Sequence, residues 1–290
     1  MPLPTTDTIV TYPDGATASS GVVLHVEELS GGRSAVLLDT TAFHPVDTAW
    51  PDQPTDRGVL VVGATEYPII DGLTGGIHEG ALYVGADLPV RNGTEGWIFV
   101  VAHVIEGPGP AVGAAADVRI DAEYRTSLSA GHTACHLASL ALDAVLADAW
   151  TKPVLTDALG NPAFDSLAIE TSRIHPNGSV DVYRIGKSLR RKGFTVAALD
   201  DLVAIELRAN TLLEEWRSGG GAIQIERDGQ QLSARRTWVC EIGGGRTDIP
   251  CGGTHLHGLN ELAQVTVSLA AEDLEGARQL TMTTRAQLAQ

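Results

Sequence analysis

Two short motifs, more than a hundred residues apart, contain the residue types that bind transition metals. The first is His132-Thr133-Ala134-Cys135-His136, in which two histidines stand four residues apart. Side chains at this spacing share one face of a helix, so both imidazoles can bind the same ion. The chain has nine histidines, and such a pair is therefore weak evidence without further ligands.

The second motif, Cys251-Gly252-Gly253-Thr254-His255, joins a cysteine and a histidine through two glycines. A thiolate and imidazoles suit Zn²⁺, and the two motifs together supply three nitrogens and one sulfur for a tetrahedral site. A closed structural zinc site is the alternative for this ligand set. The small residues around the ligands leave room for a substrate, which favours an accessible site.

Neighbouring residues restrict the chemistry further. Thr133 stands where a His-Glu-x-x-His metalloprotease has its general base, which disfavours a protease. Cys135 lies about 100° from the preceding residue around a helix and is predicted to be a small core residue. His257 is predicted to be a loop histidine, with an acid/base role as the alternative.

The pattern along the chain predicts an α+β fold in two domains that position these motifs. Short apolar runs between turn signals predict an N-terminal small β-barrel over residues 1–120. Residues 121–290 predict a zinc-binding α+β domain with a mostly antiparallel sheet. The predicted strands of the first domain are 9–12, 21–26, 34–38, 59–62, 81–84 and 97–104. The predicted elements of the second are helices 129–150 and 200–217, a hairpin of 167–174 and 180–185, and strands 223–226, 236–242, 264–269 and 279–284.

Composition limits the compartment and the partners. The chain has 290 residues, of which 43% are hydrophobic, and this is enough apolar material to exclude a largely disordered protein. Its net charge of −16 disfavours broad coating of nucleic acid, and DNA is not an expected partner. Three cysteines argue against a disulfide framework. The first basic residue is Arg33 and no apolar run is long enough for a bilayer, so we expect a cytoplasmic protein without a membrane partner.

One stretch is basic against this acidic background. Its five cations fall within nine residues: Arg184, Lys187, Arg190, Arg191 and Lys192. Such a run is often a solvated surface, which is the alternative here. In an acidic protein it is also the best candidate for binding phosphate groups.

The two metal motifs resemble those of the editing domain of alanyl-tRNA synthetase and of its free-standing relatives, the AlaX-type trans-editing proteins. Three further stretches are similar to that family, namely the Ile-Asp-x-x-x-Arg lead-in at 120–125, the Gln-Pro-x-Asp-x-Gly stretch at 53–58 and the strand ending in Glu-Ile-Gly at 236–243. No synthetase core fits in 290 residues, so we expect the free-standing form.

The resemblance implies a zinc-dependent hydrolase that preserves translation fidelity by cleaving the ester of a mischarged tRNA, with tRNA as its partner. It implies His132, His136, Cys251 and His255 as zinc ligands. It implies Thr133, Gly253 and Thr254 as residues of the catalytic pocket. We further expect Gln53, Asp56, Trp50 and Leu259 in the substrate pocket, and the basic stretch as the tRNA-binding surface.

The chain departs from the family between residues 46 and 52, where the family's Gly-Gly-Gly-Gln loop is replaced by a longer segment without glycine. Trp50 and Asp52 cannot reproduce the close backbone approach of a glycine loop. The expected substrate is therefore either Ser or Gly on alanine tRNA, or a threonine-like residue such as fluorothreonine. A non-catalytic tRNA-binding protein and a metal-dependent hydrolase of a small ester or amide remain as alternatives.

Overall fold

A computed structural model describes residues 2–289 of the chain. Its strands are β1 (Ile9–Val10), β2 (Ala18–Leu29), β3 (Arg33–Leu38), β4 (Thr40–Thr41), β5 (Gly58–Val62), β6 (Thr65–His78), β7 (Ala81–Val84), β8 (Ile98–Glu106), β9 (Ala115–Ile120), β10 (Ile169–His175), β11 (Gly178–Ile185), β12 (Ile223–Arg227), β13 (Arg236–Ile242), β14 (Gly245–Pro250), β15 (Leu262–Leu274) and β16 (Ala277–Leu288). Its α-helices are α1 (Ala122–Val145), α2 (Phe164–Ala168), α3 (Lys187–Arg191) and α4 (Leu202–Ser218). The predicted α+β class with mostly antiparallel sheets is confirmed.

The chain divides into two compact units. The first runs to Thr126 and also includes Ile225–Thr237 and Pro250–Thr254. The second comprises Ser127–Gln224, Trp238–Ile249 and the chain from His255 onwards. The sequence-based division at residue 120 stays a prediction. Within residues 2–289, no helix combines the length and the apolar character needed to cross a membrane.

The first unit is built on a seven-stranded sheet in the order β5-β9-β2-β3-β8-β6-β7. An additional pairing of β5 with β6 joins the sheet to itself, so that six of its strands form a ring of antiparallel pairs. Alternate residues of β3 enter different apolar clusters, with Val36 and Leu38 in one and Ala35 and Leu37 in the other. Strand β3 is therefore buried on both faces, which explains its nearly continuous apolar sequence.

The second unit contains a four-stranded antiparallel sheet in the order β10-β11-β16-β15. Helix α4 covers the edge strand β15 and bonds to its backbone. Asn210 accepts a hydrogen bond from the Val267 N–H at 2.7 Å and donates to the Val267 carbonyl at 3.0 Å, while Glu206 accepts from the Leu269 N–H at 2.8 Å. These side chains protect an edge that would otherwise offer unpaired backbone groups.

Helix α1 supplies two of the predicted metal ligands, and local sequence fixes where it begins. The Asp121 carboxylate accepts the Tyr124 N–H at 3.0 Å, as an N-terminal cap does. Further along, Gly131 lets the helix approach the β10–β11 hairpin, because a Cβ there would lie 2.5 Å from the His175 carbonyl oxygen. Asp121 fixes the start of α1 and Gly131 allows its close approach to the hairpin. Together they position the face of α1 that contains His132 and His136.

The predicted elements agree with the structure in position more than in extent. The helix predicted over 129–150 is α1, which begins and ends earlier, and the one predicted over 200–217 is α4. The predicted strand 236–242 coincides with β13, and the predicted hairpin is β10 and β11. Strands β4, β6, β9 and β14 have no counterpart among the predicted runs.

Asp143 is a buried acid on α1, in the second unit. Its side chain accepts the Asp165 N–H at 2.7 Å, and burial raises the pKa of the Asp143 carboxyl to about 8. The same group has a pKa of about 4 in an unfolded chain. Because the pKa is raised in the folded state, the protonated Asp143 carboxyl contributes to the free energy of unfolding. This contribution is complete below about pH 4 and is lost as the pH rises through about 8.

We expect Asp143→Asn to stabilise the protein increasingly as the pH rises, because an amide keeps an acceptor oxygen but never ionises. Its advantage over the unsubstituted protein should grow by about 1 kcal/mol or more between about pH 6 and pH 9. Urea unfolding at both pH values measures this difference. Asp148→Asn, at an exposed carboxylate, serves as the control. A pH-independent effect of Asp143→Asn would contradict the expectation.

Candidate metal centre

The two histidines of α1 lie on one face of the helix, as their spacing requires. Their ring centroids are 4.9 Å apart with the planes nearly perpendicular. His132 is 2% exposed, so its imidazole faces the interior of the protein. Helix geometry alone therefore brings two nitrogen ligands together.

The loop after β14 supplies the other two ligands. The His255 ring centroid lies 4.2 Å from that of His132 and 4.8 Å from that of His136. Cys251 stands four residues before His255 in the same loop. One ligand atom from each of His132, His136, Cys251 and His255 lies within 4.8 Å of all the others. This cluster could hold a metal ion.

The protonation states of the cluster depend on burial. Burial lowers the pKa of His136 to about 4, so this imidazole is neutral at pH 7, the form that binds metals. Burial raises the pKa of the Cys251 thiol to about 12, although a hydrogen bond from the Gly253 N–H lowers it. A thiolate at this position therefore requires a bound cation, and a thiol that coordinates such an ion releases its proton to solvent. Three nitrogens and one sulfur suit zinc.

Thr133 orients the loop against α1. Its hydroxyl oxygen accepts the Leu256 N–H at 3.2 Å and lies 3.3 Å from the Nδ1 atom of His255. When Nδ1 carries the proton, His255 donates to Thr133, and its Nε2 atom has the lone pair that a metal requires. Thr133 thus acts on the cluster through His255.

We expect Thr133→Val to weaken zinc binding about ten- to a hundredfold, because it keeps the side-chain shape but removes the partner of His255 and of the Leu256 N–H. Thr133→Ser should retain most of the affinity, since it keeps the hydroxyl. Competition with a chromogenic zinc chelator measures both affinities. Equal zinc affinity in Thr133→Val and the unsubstituted protein would show that the hydroxyl has no orienting role.

Gln53 and Thr254 bind each other in both directions. The Gln53 amide donates to the Thr254 hydroxyl at 3.0 Å, and the Thr254 N–H donates to the Gln53 carbonyl oxygen, also at 3.0 Å. Both side chains are buried. The segment before Gln53, where the chain departs from the resembled family, is therefore fastened to the loop that contains Cys251.

The other predicted pocket residues have different surroundings. Asp56 is buried and forms an ion pair with Arg125, and it also accepts the His44 N–H at 2.6 Å. Leu259 is 0% exposed, whereas Trp50 is 44% exposed. The structure thus joins Gln53 to the Cys251–His255 loop and gives Asp56 a partner in its own unit. Their roles in a substrate pocket stay predictions.

The basic stretch is fully at the surface. Helix α3 and its flanks expose all five cations, while Leu189 anchors the helix in the core. Arg184 lies 3.8 Å from Glu170, and Arg190 donates to the Gly276 carbonyl at 2.9 Å. These contacts leave a surface that is mostly available to a ligand, and its role in binding tRNA stays a prediction.

Sequence reasoning missed Trp238, which packs against the histidines. Its ring centroid lies 4.9 Å from that of His136 and 5.9 Å from that of His255, and it is 0% exposed. The signal was a large aromatic residue within β13, in a chain with only 5% aromatics. Cys135, by contrast, bonds to Asp181 at 3.6 Å, and burial raises the pKa of its thiol well above the ordinary value. A protonated thiol agrees with its interpretation as a residue that is not a nucleophile.

The chain is similar to an alanyl-tRNA editing protein and to parts of alanine–tRNA ligases. The chain is 23% identical over 248 residues to the alanyl-tRNA editing protein AlaX-M of Pyrococcus horikoshii, covering 85% of this chain and 83% of that protein. It is 26% identical over 258 residues to an alanine–tRNA ligase of Salinispora tropica, covering 88% of this chain and 24% of the ligase. It is 33% identical over 102 residues to an alanine–tRNA ligase of Caldivirga maquilingensis, covering 35% of this chain and 9% of the ligase.

The chain therefore spans a quarter or less of these ligases and most of the editing protein. No protein-family model matches it. The resemblance to AlaX-type editing proteins that the sequence indicates is confirmed by these similarities.

Proposed function

We propose that the protein is a zinc-dependent aminoacyl-tRNA deacylase that acts in trans and hydrolyses the ester of a mischarged tRNA. The observation that carries this proposal is the four-residue cluster with its ligand atoms within 4.8 Å, in a chain similar to an alanyl-tRNA editing protein. The similarity supports the class of enzyme, a hydrolase of aminoacyl-tRNA. The donor set supports zinc as its metal.

An aminoacyl ester is already activated, so a site needs mainly to hold its carbonyl beside a water molecule and to stabilise the developing negative charge. His132, His136, Cys251 and His255 would hold the ion. A bound zinc ion supplies a Lewis acid that polarises a carbonyl oxygen or lowers the pKa of water.

The chain's own groups set the surroundings of the ester. The Gly253 N–H bonds to the Cys251 sulfur, and Gly253 has no side chain to fill the space beside it. Thr254 is held by Gln53, and Thr133 holds His255. We assign these three residues, Thr133, Gly253 and Thr254, to the pocket wall, where they keep the loop and the imidazoles in one arrangement.

For the substrate we propose either Ser or Gly on alanine tRNA, or a threonine-like residue such as fluorothreonine. The segment 46–52 supports the second class, because it contains no glycine and is followed directly by the buried Gln53. A β-hydroxyl or β-fluorine is a small difference, so discrimination must come from the placement of polar groups more than from size. The first unit, with its ring of strands, is proposed to be the small β-barrel.

The basic stretch is proposed to bind tRNA phosphates. Lys187→Glu together with Arg191→Glu should lower kcat/KM on aminoacyl-tRNA about tenfold or more, and the loss should shrink as salt rises. The same variant should cleave a minimal aminoacyl ester at the unsubstituted rate. Arg208→Glu, at an exposed cation of α4, controls for net charge. Equal losses of the charge-reversal variant on both substrates would exclude an RNA-binding role for the basic stretch. If the unsubstituted protein cleaved the minimal ester but not aminoacyl-tRNA, a small-ester hydrolase would be favoured.

A further inference from the structure

Trp50 is the most exposed of the five tryptophans in the chain. Its side chain is 44% exposed, whereas Trp216 is 8% and Trp238 is 0% exposed. Single exposed apolar residues are common on protein surfaces, so this exposure means little until the position of Trp50 is considered.

The position of Trp50 is set by the loop that contains Cys251. Trp50 precedes Gln53 by three residues, and Gln53 is bound to Thr254 by two hydrogen bonds of 3.0 Å each. Three residues of extended chain span at most about 11 Å. The Trp50 Cα atom therefore lies within about 11 Å of the Gln53 Cα atom, and the Gln53 side chain is bonded to the loop to which we assign the ester.

The segment around Trp50 is held in a defined turn. Asp47 accepts the Ala49 N–H at 2.8 Å, the Trp50 carbonyl accepts the Asp52 N–H at 2.9 Å, and Asp52 accepts the Gln53 N–H at 2.7 Å. These bonds lie on both sides of the indole. Stacking of a ligand on the indole would therefore cost little conformational entropy of this loop.

The 3′ end of a charged tRNA offers an ester, a ribose and a base in sequence. A protein with a net charge of −16 gains little from long-range attraction to phosphate, so a contact with the base would add to the local phosphate contacts proposed for the basic stretch. Stacking of a base on an aromatic side chain provides such a contact, and it does not depend on neutralising charge.

We infer that Trp50 is the stacking platform for the 3′-terminal base of the charged tRNA, a binding role that rests on the proposed function. The glycine loop that this segment replaces has no aromatic side chain on which a base could stack. Trp50 therefore gives this chain a base contact beside its ester site, and binding of the terminal nucleoside should depend on the aromatic ring.

The experiment compares Trp50→Ala and Trp50→Phe on two substrates, aminoacyl-tRNA and an aminoacyl methyl ester that has no base. Trp50→Ala should raise KM on aminoacyl-tRNA about tenfold or more with little change in kcat, and Trp50→Phe should recover most of the loss. On the methyl ester, which has no base to stack, any loss in either variant should be much smaller than the loss of Trp50→Ala on aminoacyl-tRNA. Ile70→Ala, at a 46% exposed apolar residue of β6, is the matched control and should leave both rates unchanged.

A binding measurement makes the test independent of turnover. A non-hydrolysable 3′-aminoacylamino analogue of adenosine should quench tryptophan fluorescence more strongly in the unsubstituted protein than in Trp50→Phe, where only the other tryptophans, among them Trp238 beside the histidines, can respond. An unchanged KM for Trp50→Ala on aminoacyl-tRNA, or equal quenching in Trp50→Phe, would overturn the inference and leave the deacylase intact. Failure of the unsubstituted protein to cleave any aminoacyl-tRNA would instead overturn the proposed function.

Discussion

His132→Ala is expected to lose bound zinc and to lower deacylase activity by at least about a hundredfold. Removing one group that stabilises developing charge in an active site already costs about 10²–10³ in rate. His132 is one of four residues whose ligand atoms lie within 4.8 Å of one another, and the loss of one ligand leaves an incomplete tetrahedral set. Zinc content by mass spectrometry and single-turnover deacylation measure the two effects.

Cys135→Ser is the matched control, because Cys135 lies on the same helix between the two histidines but bonds to Asp181 instead. It should retain zinc and activity. His132 is buried, so His132→Asn, which leaves a smaller cavity, repeats the test with less risk to folding. Full activity in a folded His132 variant that has lost its zinc would contradict a catalytic metal, and full tRNA binding without turnover in the unsubstituted protein would favour a non-catalytic role.

Arg125→Met is expected to destabilise the first unit by about 3–5 kcal/mol, the usual cost of leaving a buried charge without its partner. Arg125 donates to Asp56 through two nitrogens and to the Ala42 carbonyl at 2.8 Å. The side chains of Arg125 and Asp56 are 5% and 0% exposed. Burial raises the pKa of Asp56 and the Arg125 guanidinium lowers it, so removing Arg125 leaves burial without its main opposing effect.

Urea unfolding at neutral pH measures this loss. The control is Arg119→Met, because Arg119 pairs with Glu66 at 3.5 Å with both side chains 60% exposed. An exposed pair contributes about 0–1 kcal/mol. Adding Asp56→Leu to Arg125→Met should restore part of the stability, since it removes the buried carboxylate. A loss below about 1 kcal/mol for Arg125→Met would show that the pair is not a structural anchor.

Each half of the four-residue cluster could be predicted from the sequence because its geometry is local. Residues four apart on a helix share a face whatever the rest of the fold does, and this accounts for His132 and His136. Cys251 and His255 lie in one short loop. What no spacing rule could supply is the support around them, such as Trp238 against His136 and Thr133 against His255.

Strand β6 shows why part of the fold could not be predicted. Its fourteen residues include Pro68 and three glycines, which normally interrupt a strand. The structure gives reasons for two of these glycines. A Cβ at Gly72 would lie 2.3 Å from the Phe43 ring, and one at Gly76 would lie 2.4 Å from Leu88. Such close packing is a tertiary requirement and does not follow from local propensity.

Asp56 shows the same limit within the predicted pocket. The sequence predicts a place in the substrate pocket for Asp56 because it lies in a Gln-Pro-x-Asp stretch. The structure shows that its partners are Arg125 and the His44 N–H. Arg125 is 69 residues away along the chain, so no local pattern could pair them. A long-range partner of this kind is visible only in the structure, and the role of Asp56 in a substrate pocket stays a prediction.

The most direct measurement is a deacylation panel. Zinc-loaded protein is added to tRNAs charged with Ser, Gly, Ala, Thr and fluorothreonine, and the release of each amino acid is compared with release in buffer. The proposed function predicts that at least one mischarged species is hydrolysed far faster than in buffer, while correctly charged alanine tRNA is spared. Hydrolysis of every species at the buffer rate, by folded protein with zinc bound, would contradict it.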